Sequence, residues 1–294
     1  MLKYTLTGFA DEISPDLNVQ MDVMESLNIH HIEMRGVDGK SLCDYSLEDA
    51  AKIKQRLDER GFRLSAIGSP LGKIQITDPF EPHYEFFLHV CDLAKLFETR
   101  RIRIFSYYIP DGADPTVYRD EVMRRTEAFV KEAARRGIIL QHENEKGIYG
   151  ETSERCLDLM KQFFGPSFQC NLDPGNFVCC EEDSFPGAYE KLKPYTSYLH
   201  IKDAVRVDNR STIVPAGEGN AHIKDILQDL FRSGYQGFLS LEPHLYSFTG
   251  FASLVRSDHA KLEEDKGQGA VLFAKATDAL RKILSEIEAE RPVL

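Results

Sequence analysis

The amino-acid sequence predicts a single (β/α)8 barrel domain over residues 1–294, and two observations support this prediction. Eight short apolar runs alternate with longer segments of helical periodicity along the 294 residues. Strand alternating with helix indicates a parallel sheet, and eight such units at this length are typical of a closed barrel. A doubly wound open sheet, the alternative, normally carries a glycine-rich first turn, and the segment GFADEIS at 8–14 is not one.

The eight strands are predicted where a run rich in Ile, Leu, Phe or Tyr is too short for a helix and is bounded by turn residues. They are residues 4–9, 31–35, 62–68, 101–106, 137–143, 168–173, 197–202 and 237–242.

Amphipathic helices are predicted between these strands. Segments 46–60, 118–136 and 268–289 place apolar residues at three- and four-residue steps. Glycines just before the next strand often end a helix, and Gly61, Gly137 and Gly237 fit that pattern.

Composition restricts the class of function. The chain has 36 basic and 47 acidic residues, a net charge of −11, which disfavours nucleic acid and anionic membranes as partners. We expect no secretion signal and no membrane span, and therefore a cytoplasmic protein. The six cysteines lack Cys-x-x-Cys spacing and are expected to be reduced thiols.

Polar residues close the last four predicted strands, at the end of the barrel where active sites lie. They are Glu143, Asp173, His200 and Glu242. Because side chains alternate along a strand, the residue two positions earlier faces the same way. Those earlier residues are polar as well: Gln141, Asn171, Tyr198 and Ser240. The sequence therefore predicts four side chains that point inward together above polar support.

Three carboxylates and an imidazole in one barrel mouth create a conflict, because like charges a few ångströms apart force one carboxyl group to stay protonated. A divalent cation removes that conflict. An oxygen-rich set with one nitrogen suits Mn²⁺ as the first choice, with Mg²⁺, Co²⁺ and Zn²⁺ as alternatives. We therefore predict one divalent metal ion bound by the four strand-end residues.

Short motifs in a fixed order support this prediction. HENEKG, NLDPGNF, HIKD, GEGN and LSLEPH, preceded by GFADEIS and IEMRG, resemble the xylose isomerase-like barrel superfamily of sugar and sugar-phosphate isomerases and epimerases. The resemblance extends to about residue 245. In related ketose 3-epimerases, the residues matching Glu143, Asp173, His200 and Glu242 hold one divalent metal.

The resemblance also implies a mechanism. The metal would chelate a carbonyl and a hydroxyl oxygen of a small carbohydrate. Of Glu143 and Glu242, one would then remove a proton from the neighbouring carbon to give a metal-stabilised enediolate, and the other would return a proton. Return to the opposite face of the same carbon gives epimerisation, and return to the adjacent carbon gives isomerisation.

Five further residues are candidates for substrate binding: Arg206, Asn176, Glu33, Lys202 and His244. Arg206 lies six residues after His200, as does a substrate-binding arginine in the ketose epimerases. Asn176 stands where many members of the superfamily carry a histidine. Glu33 either binds a sugar hydroxyl or forms a salt bridge with Arg35 or a neighbour.

Other functions share this barrel. A metal-dependent dehydratase of a keto-inositol or dehydroshikimate-like substrate begins with the same proton abstraction. A non-catalytic sugar-binding barrel is disfavoured because both glutamates are present. An apurinic endonuclease is disfavoured because ligands of that branch are missing and the chain is acidic.

A long insertion at about 245–265 is predicted between the last strand and the last helix. Long loops in compact domains are commonly functional. We expect this one to form a lid or a subunit contact, with Phe248, Phe251 and Leu254 buried by it, so that a homo-oligomer is a further expectation.

Overall fold

The computed structural model describes residues 2–208, 210–246 and 268–290. Eight parallel strands form a nearly closed barrel, as predicted, and we number these barrel strands β1 to β8. Their bounds are β1 Thr5–Gly8, β2 His31–Met34, β3 Arg63–Ile67, β4 Arg101–Ile104, β5 Ile139–Glu143, β6 Phe168–Leu172, β7 Thr196–Ile201 and β8 Phe238–Leu241. The predicted strands are all present, with ends that move by one or two residues.

Hydrogen-bonded pairing follows the order β1-β8-β7-β6-β5-β4-β3-β2. The register aligns Thr7 of β1 with Ser240 of β8, and Ser240 with His200 of β7. Because side chains alternate along each strand, aligned residues face the same side of the sheet. Polar side chains of three neighbouring strands therefore lie at one level inside the barrel.

Helices alternate with the strands along the chain. They are α1 Leu17–Ser26, α2 Leu47–Glu59, α3 Glu81–Leu96, α4 Arg119–Arg136, α5 Ser153–Phe163, α6 Pro174–Cys179, α7 Tyr189–Leu192, α8 Ile223–Arg232 and α9 Gly269–Ala289. Side-chain caps explain where several begin: Asp16 and Ser46 accept hydrogen bonds from the first backbone N–H groups of α1 and α2. Gly137 ends α4 in the left-handed conformation, as predicted.

The prediction for Gly237 was wrong. Helix α8 ends at Arg232, and the glycine with positive φ that follows it is Gly234, at +87°. Gly237 instead lies against the Tyr235 ring, where a Cβ would be 2.4 Å from the Tyr235 hydroxyl oxygen. Its lack of a side chain serves close packing and not helix termination.

Two hairpins extend from the carboxyl ends of the barrel strands. Gly36–Val37 pairs with Lys40–Ser41 after β2, and Asp203–Val207 pairs with Arg210–Val214 after β7. The predicted insertion at 245–265 lies outside the described residues from 247 onward, so its role stays a prediction. Among the described residues, no helix is both long and apolar enough to cross a membrane.

Candidate metal centre

The structure brings the four strand-end residues together. Glu143 is the last residue of β5, His200 lies near the end of β7, and Asp173 and Glu242 directly follow β6 and β8. All four are buried, and one ligand atom from each lies within 4.8 Å of the others. Four separate strands thus deliver three carboxylates and one imidazole to one point.

His200 is held with one ring nitrogen toward the carboxylates. Its Nδ1 lies 3.0 Å from Glu242 Oε2, 3.2 Å from Glu143 Oε1 and 3.8 Å from Asp173 Oδ2. On the other side of the ring, Nε2 lies 3.1 Å from Glu33 Oε2. The imidazole is therefore oriented from behind, with Nδ1 available to a ligand shared with the carboxylates.

Asp173 contributes to the centre and to local folding at the same time. Strand β6 turns directly into α6, with Pro174 in the first helical turn, and Asp173 is the cap of that helix. Its Oδ1 accepts a hydrogen bond from the Asn176 backbone N–H at 2.9 Å. The second oxygen, Oδ2, is left to face His200.

Three buried cations surround the carboxylates. Arg103 Nη1 lies 3.1 Å from Glu143 Oε2, and Arg35 Nη1 lies 3.1 Å from Glu242 Oε1. Lys202 Nζ lies 2.8 Å from Asp173 Oδ2 and 3.2 Å from Glu242 Oε2. The two arginines therefore contact the glutamate oxygens that are turned away from His200, whereas Lys202 contacts the oxygens of Asp173 and Glu242 that face it.

Arg35 and Arg103 were not among the site residues predicted from the sequence. Arg103 lies inside the short strand β4 and Arg35 directly follows β2. A buried arginine requires a buried carboxylate partner, so an arginine at these positions is itself a signal of an acidic site across the barrel.

A second acidic group lies beside the first. Glu12, Glu242 and His244 also place ligand atoms within 4.8 Å of one another. However, the Arg35 guanidinium lies 3.4 Å from Glu12 and 3.1 Å from Glu242, and it also pairs with Asp11 at 2.8 Å. The second group shares Glu242 with the first and offers three ligand residues instead of four, so the first group is the better candidate for a metal site.

The donor atoms fit a divalent ion. Asp173 Oδ2, His200 Nδ1 and Glu242 Oε2 are buried and face one point, where they contact one another and Lys202 Nζ. A divalent ion at this point would bind all three atoms at once. Carboxylate oxygens with one imidazole nitrogen are ligands that suit Mn²⁺, Mg²⁺ and Zn²⁺.

The charges around the four residues also fit a cation. Burial opposes ionisation of Glu143, yet His200 and Arg103 hold its pKa at about 2. Burial likewise opposes ionisation of Glu242, but Lys202 and His244 keep its pKa well below the usual value. The pKa of His200 is raised well above its ordinary value, against burial, by the carboxylates around it. The electrostatics of the centre therefore favour positive charge beside Glu143 and Glu242, whereas burial raises the pKa of Asp173.

The predicted substrate-binding residues fall into two groups. Asn176, Lys202 and His244 lie at the centre: Asn176 donates to Glu143 Oε1 at 3.2 Å and accepts from Lys202 Nζ at 3.1 Å. His244 Nε2 lies 3.6 Å from Glu242 Oε1. The other two residues, Glu33 and Arg206, are placed differently.

Glu33 is fully buried behind His200, where it forms an ion pair with that neighbour and none with Arg35 among the contacts of the described residues. It accepts from Ser240 Oγ at 2.7 Å and contacts His200, which makes it a positioning residue for the imidazole. Arg206 lies on the hairpin after β7, pairs with Glu181 at 2.5 Å and lines a separate cavity. None of the four strand-end residues lines that cavity, because the hairpin directs Arg206 toward the segment after α6.

Three buried carboxylates and one imidazole at the carboxyl end of a (β/α)8 barrel are a donor set that could hold a metal ion. The family model for the xylose isomerase-like TIM barrel matches residues 21–267. The chain belongs to this family. Comparison with curated proteins gave no match.

Solved structures with the same fold include two epimerase-related proteins and one dehydratase. A D-tagatose 3-epimerase-like protein is 18% identical, with a TM-score of 0.72, over 97% of this chain and 99% of that chain. The D-allulose 3-epimerase from Methylomonas sp., in complex with D-allulose, is 16% identical, with a TM-score of 0.72, over 96% and 98%. The probable 3-DHS dehydratase AsbF from Bacillus anthracis is 19% identical, with a TM-score of 0.68, over 97% and 99%.

Proposed function

We propose that this protein is a divalent-metal-dependent isomerase or epimerase of a small carbohydrate. The observation that carries the proposal is the convergence of Glu143, Asp173, His200 and Glu242, with ligand atoms within 4.8 Å, at the carboxyl end of the barrel. The similarity to a D-allulose 3-epimerase in complex with its sugar supports a carbohydrate as the substrate.

The four convergent residues would hold the ion. When bound there, a divalent ion supplies Lewis-acid polarisation of a substrate carbonyl, which acidifies the neighbouring C–H bond. The remaining chemistry is proton transfer by side chains of this chain.

Glu143 and Glu242 are the residues proposed to move the proton. They come from strands β5 and β8, and both are ionised, because cations surround them. One carboxylate takes the proton from the carbon beside the carbonyl, and the other, once it has taken up a proton from water, returns that proton to the substrate. Return to the opposite face of the same carbon gives an epimer, and return to the neighbouring carbon gives an isomer.

Phe9 contributes an apolar wall to the site. Its ring centroid lies 5.3 Å from that of His200, 4.3 Å from the Arg35 guanidinium carbon and 5.2 Å from that of Arg103. Phe9 is fully buried. A ring in contact with both guanidinium groups keeps water from them and strengthens their ion pairs with the glutamates.

Metal content per chain tests the proposal. Protein purified without chelator should contain about one equivalent of Mn, Mg, Co or Zn, as expected for a mononuclear site of this donor set. Glu242→Gln should lose or weaken that binding, whereas Glu85→Gln, an exposed position on α3, should not. No metal even after addition of Mn²⁺ would refute the proposal, and about three zinc ions per chain would favour the endonuclease.

Product analysis on a panel of ketoses and keto-inositols then defines the reaction. Epimers or aldose–ketose pairs support the proposal. An unsaturated product, detected by its ultraviolet absorbance, would reassign the protein as a dehydratase, because loss of a β-hydroxyl follows the same first proton abstraction.

A further inference from the structure

Two buried asparagines connect the β5 and β6 sides of the metal centre. Asn144 directly follows Glu143 at the end of β5, and Asn176 lies in α6, three residues after Asp173. Both side chains are buried. The two asparagines therefore lie between two of the four proposed metal ligands, without being ligands themselves.

Asn144 holds the backbone of Asp173. Its Oδ1 accepts a hydrogen bond from the Asp173 N–H at 2.9 Å, and its Nδ2 donates to the Asp173 carbonyl oxygen at 2.8 Å. The ladder between β5 and β6 ends at the pair Glu143 and Asn171, two residues before Asp173. Because buried backbone groups need partners, the side-chain amide continues the pairing at the point where β6 turns into α6.

Asn176 contacts both ligands. Its backbone N–H donates to Asp173 Oδ1 at 2.9 Å, and its side-chain Nδ2 donates to Glu143 Oε1 at 3.2 Å and to the Asn144 carbonyl oxygen at 2.9 Å. Its Oδ1 accepts from Lys202 Nζ at 3.1 Å. The opposite orientation of the amide would turn its NH2 group toward the ammonium group, so the partners determine the orientation. Both side-chain N–H groups of Asn176 are therefore used within the protein.

The Glu143 oxygen that Asn176 contacts is the one that faces the other ligands. Glu143 Oε1 lies 3.2 Å from His200 Nδ1, whereas Glu143 Oε2 is bound by Arg103 at 3.1 Å. Asn176 and Arg103 together fix both oxygens of this carboxylate. A carboxylate held in this way keeps its orientation before an ion binds, so that less conformational entropy is lost on binding.

We propose that Asn176 is a positioning residue of the metal centre and that its side chain does not bind the substrate. Together with Asn144, it fixes Glu143 and Asp173 relative to each other before the ion binds. The inference rests on the proposed function, because it concerns the metal centre of that function. Substrate binding would require a side-chain N–H group that is free to turn to the ligand, and both are already used. Among the described residues, the lining of the cavity of about 320 Å³ beside the centre includes neither asparagine.

Metal affinity in Asn176→Ala tests the inference. This variant loses both side-chain donations but keeps the backbone N–H that donates to Asp173. Metal-free full-length protein is titrated with Mn²⁺ in competition with a chelating dye. Asn176→Ala should bind Mn²⁺ about tenfold more weakly than the wild type, as expected when a group that orients a ligand is lost. The visible absorption spectrum of the Co²⁺-loaded protein should also change, because it reports the geometry of the ligands.

Two further variants make the test specific. Asn176→Ser has a hydroxyl group that can donate to only one acceptor, so it should lose less affinity than Asn176→Ala. It also provides the measurement if the alanine variant does not fold. Asn18→Ala, at an exposed position on α1, should leave both the affinity and the Co²⁺ spectrum unchanged.

Unchanged metal binding would overturn the inference. If folded variants at position 176 bind Mn²⁺ as tightly as the wild type and have the same Co²⁺ spectrum, Asn176 does not position Glu143, and substrate binding is the better role for it. Failure of the proposed function is a different result, because the wild-type protein itself would then bind no metal.

Discussion

Glu33 Oε2 lies 3.1 Å from Nε2 of His200, on the side of the imidazole opposite the carboxylate cluster. Both side chains are fully buried, and they come from β2 and β7, on different sides of the barrel. A carboxylate behind a histidine ligand fixes the ring orientation and makes the ligand nitrogen more basic.

Removal of this carboxylate should weaken metal binding. Glu33→Ala is expected to lower the affinity for Mn²⁺ by about 10- to 100-fold, the usual effect of losing such a partner. Glu33→Gln keeps an acceptor for Nε2–H and should lose less. Competition with a chelating dye measures the affinity, with Glu85→Ala as the control; a folded Glu33→Ala protein of unchanged affinity would contradict the role assigned to Glu33.

Lys202 should stabilise the metal-free protein. Its replacement by Met removes the closest buried cation from Asp173 and leaves Glu242 paired with Arg35 alone of these two cations, which is expected to cost about 3–5 kcal/mol in the free energy of unfolding. Because a bound ion replaces that charge, Mn²⁺ should raise the melting temperature more in Lys202→Met than in the wild type.

A surface lysine provides the control for that experiment. Lys52→Met breaks an exposed ion pair with Asp49 and should leave both the stability and the response to metal essentially unchanged. Equal metal-induced shifts in the wild type and in Lys202→Met would show that Lys202 and the ion do not balance the same carboxylates.

His83 should make stability fall in mild acid. Its Nε2 accepts a hydrogen bond from the Gly72 N–H at 2.8 Å, and burial, together with Arg125, lowers its pKa from 6.5 to about 4. Between pH 6.5 and about pH 4, His83 is protonated in the unfolded chain but stays neutral in the folded chain. The stabilisation from neutral His83 is therefore complete above pH 6.5 and is lost as the pH falls toward 4, by about 3 kcal/mol in total.

Comparison with His83→Gln isolates this effect, because glutamine can still accept the hydrogen bond but does not titrate. Denaturant titrations at pH 7 to 4 measure the unfolding free energy of both proteins. As the pH falls over this range, the wild type should lose about 3 kcal/mol of stability relative to His83→Gln. If the unfolding free energies of the two proteins depended on pH in the same way, the lowered pKa of His83 in the folded protein would be refuted.

Gly72 should tolerate no side chain. It has φ of +87°, and a Cβ there would lie 2.1 Å from the Phe105 carbonyl oxygen. Gly112 also has positive φ, +74°, but a Cβ there meets nothing within 4 Å. We expect Gly112→Ala to cost about 1 kcal/mol from its backbone conformation alone, and Gly72→Ala at least about 3 kcal/mol, measured by denaturant unfolding. Similar costs at the two glycines would mean that the loop relieves the contact by moving.

The sequence predicted those features that depend on local pattern. Short apolar runs located the strands, and the rule that strand ends meet in a barrel mouth located Glu143, Asp173, His200 and Glu242. Local pattern does not predict contacts across the barrel. Glu33 and His200, for example, are 167 residues apart in the sequence. A register shift between Ile32 and Glu33 in the pairing of β2 with β3 also changes how that strand presents its side chains. No one-dimensional pattern reports such a bulge.

Arg206 shows a second limit of sequence analysis, because its position relative to the metal centre was not predictable; that it binds substrate stays a prediction. Its spacing from His200 matched the ketose epimerases, but spacing does not determine the direction in which a hairpin leaves the barrel. The pairing of Arg206 with Ser211 and its contact with Glu181 fix that direction in this chain.

The double use of Asp173 has a consequence for experiments that dissect this centre. One of its oxygens starts helix α6 while the other faces His200, so Asp173→Ala would damage folding and metal binding together, and a dead variant would be uninterpretable. Asparagine caps helices about as well as aspartate. Asp173→Asn therefore separates helix capping from the role in the metal centre. It keeps the cap of α6 but removes one negative charge from the centre.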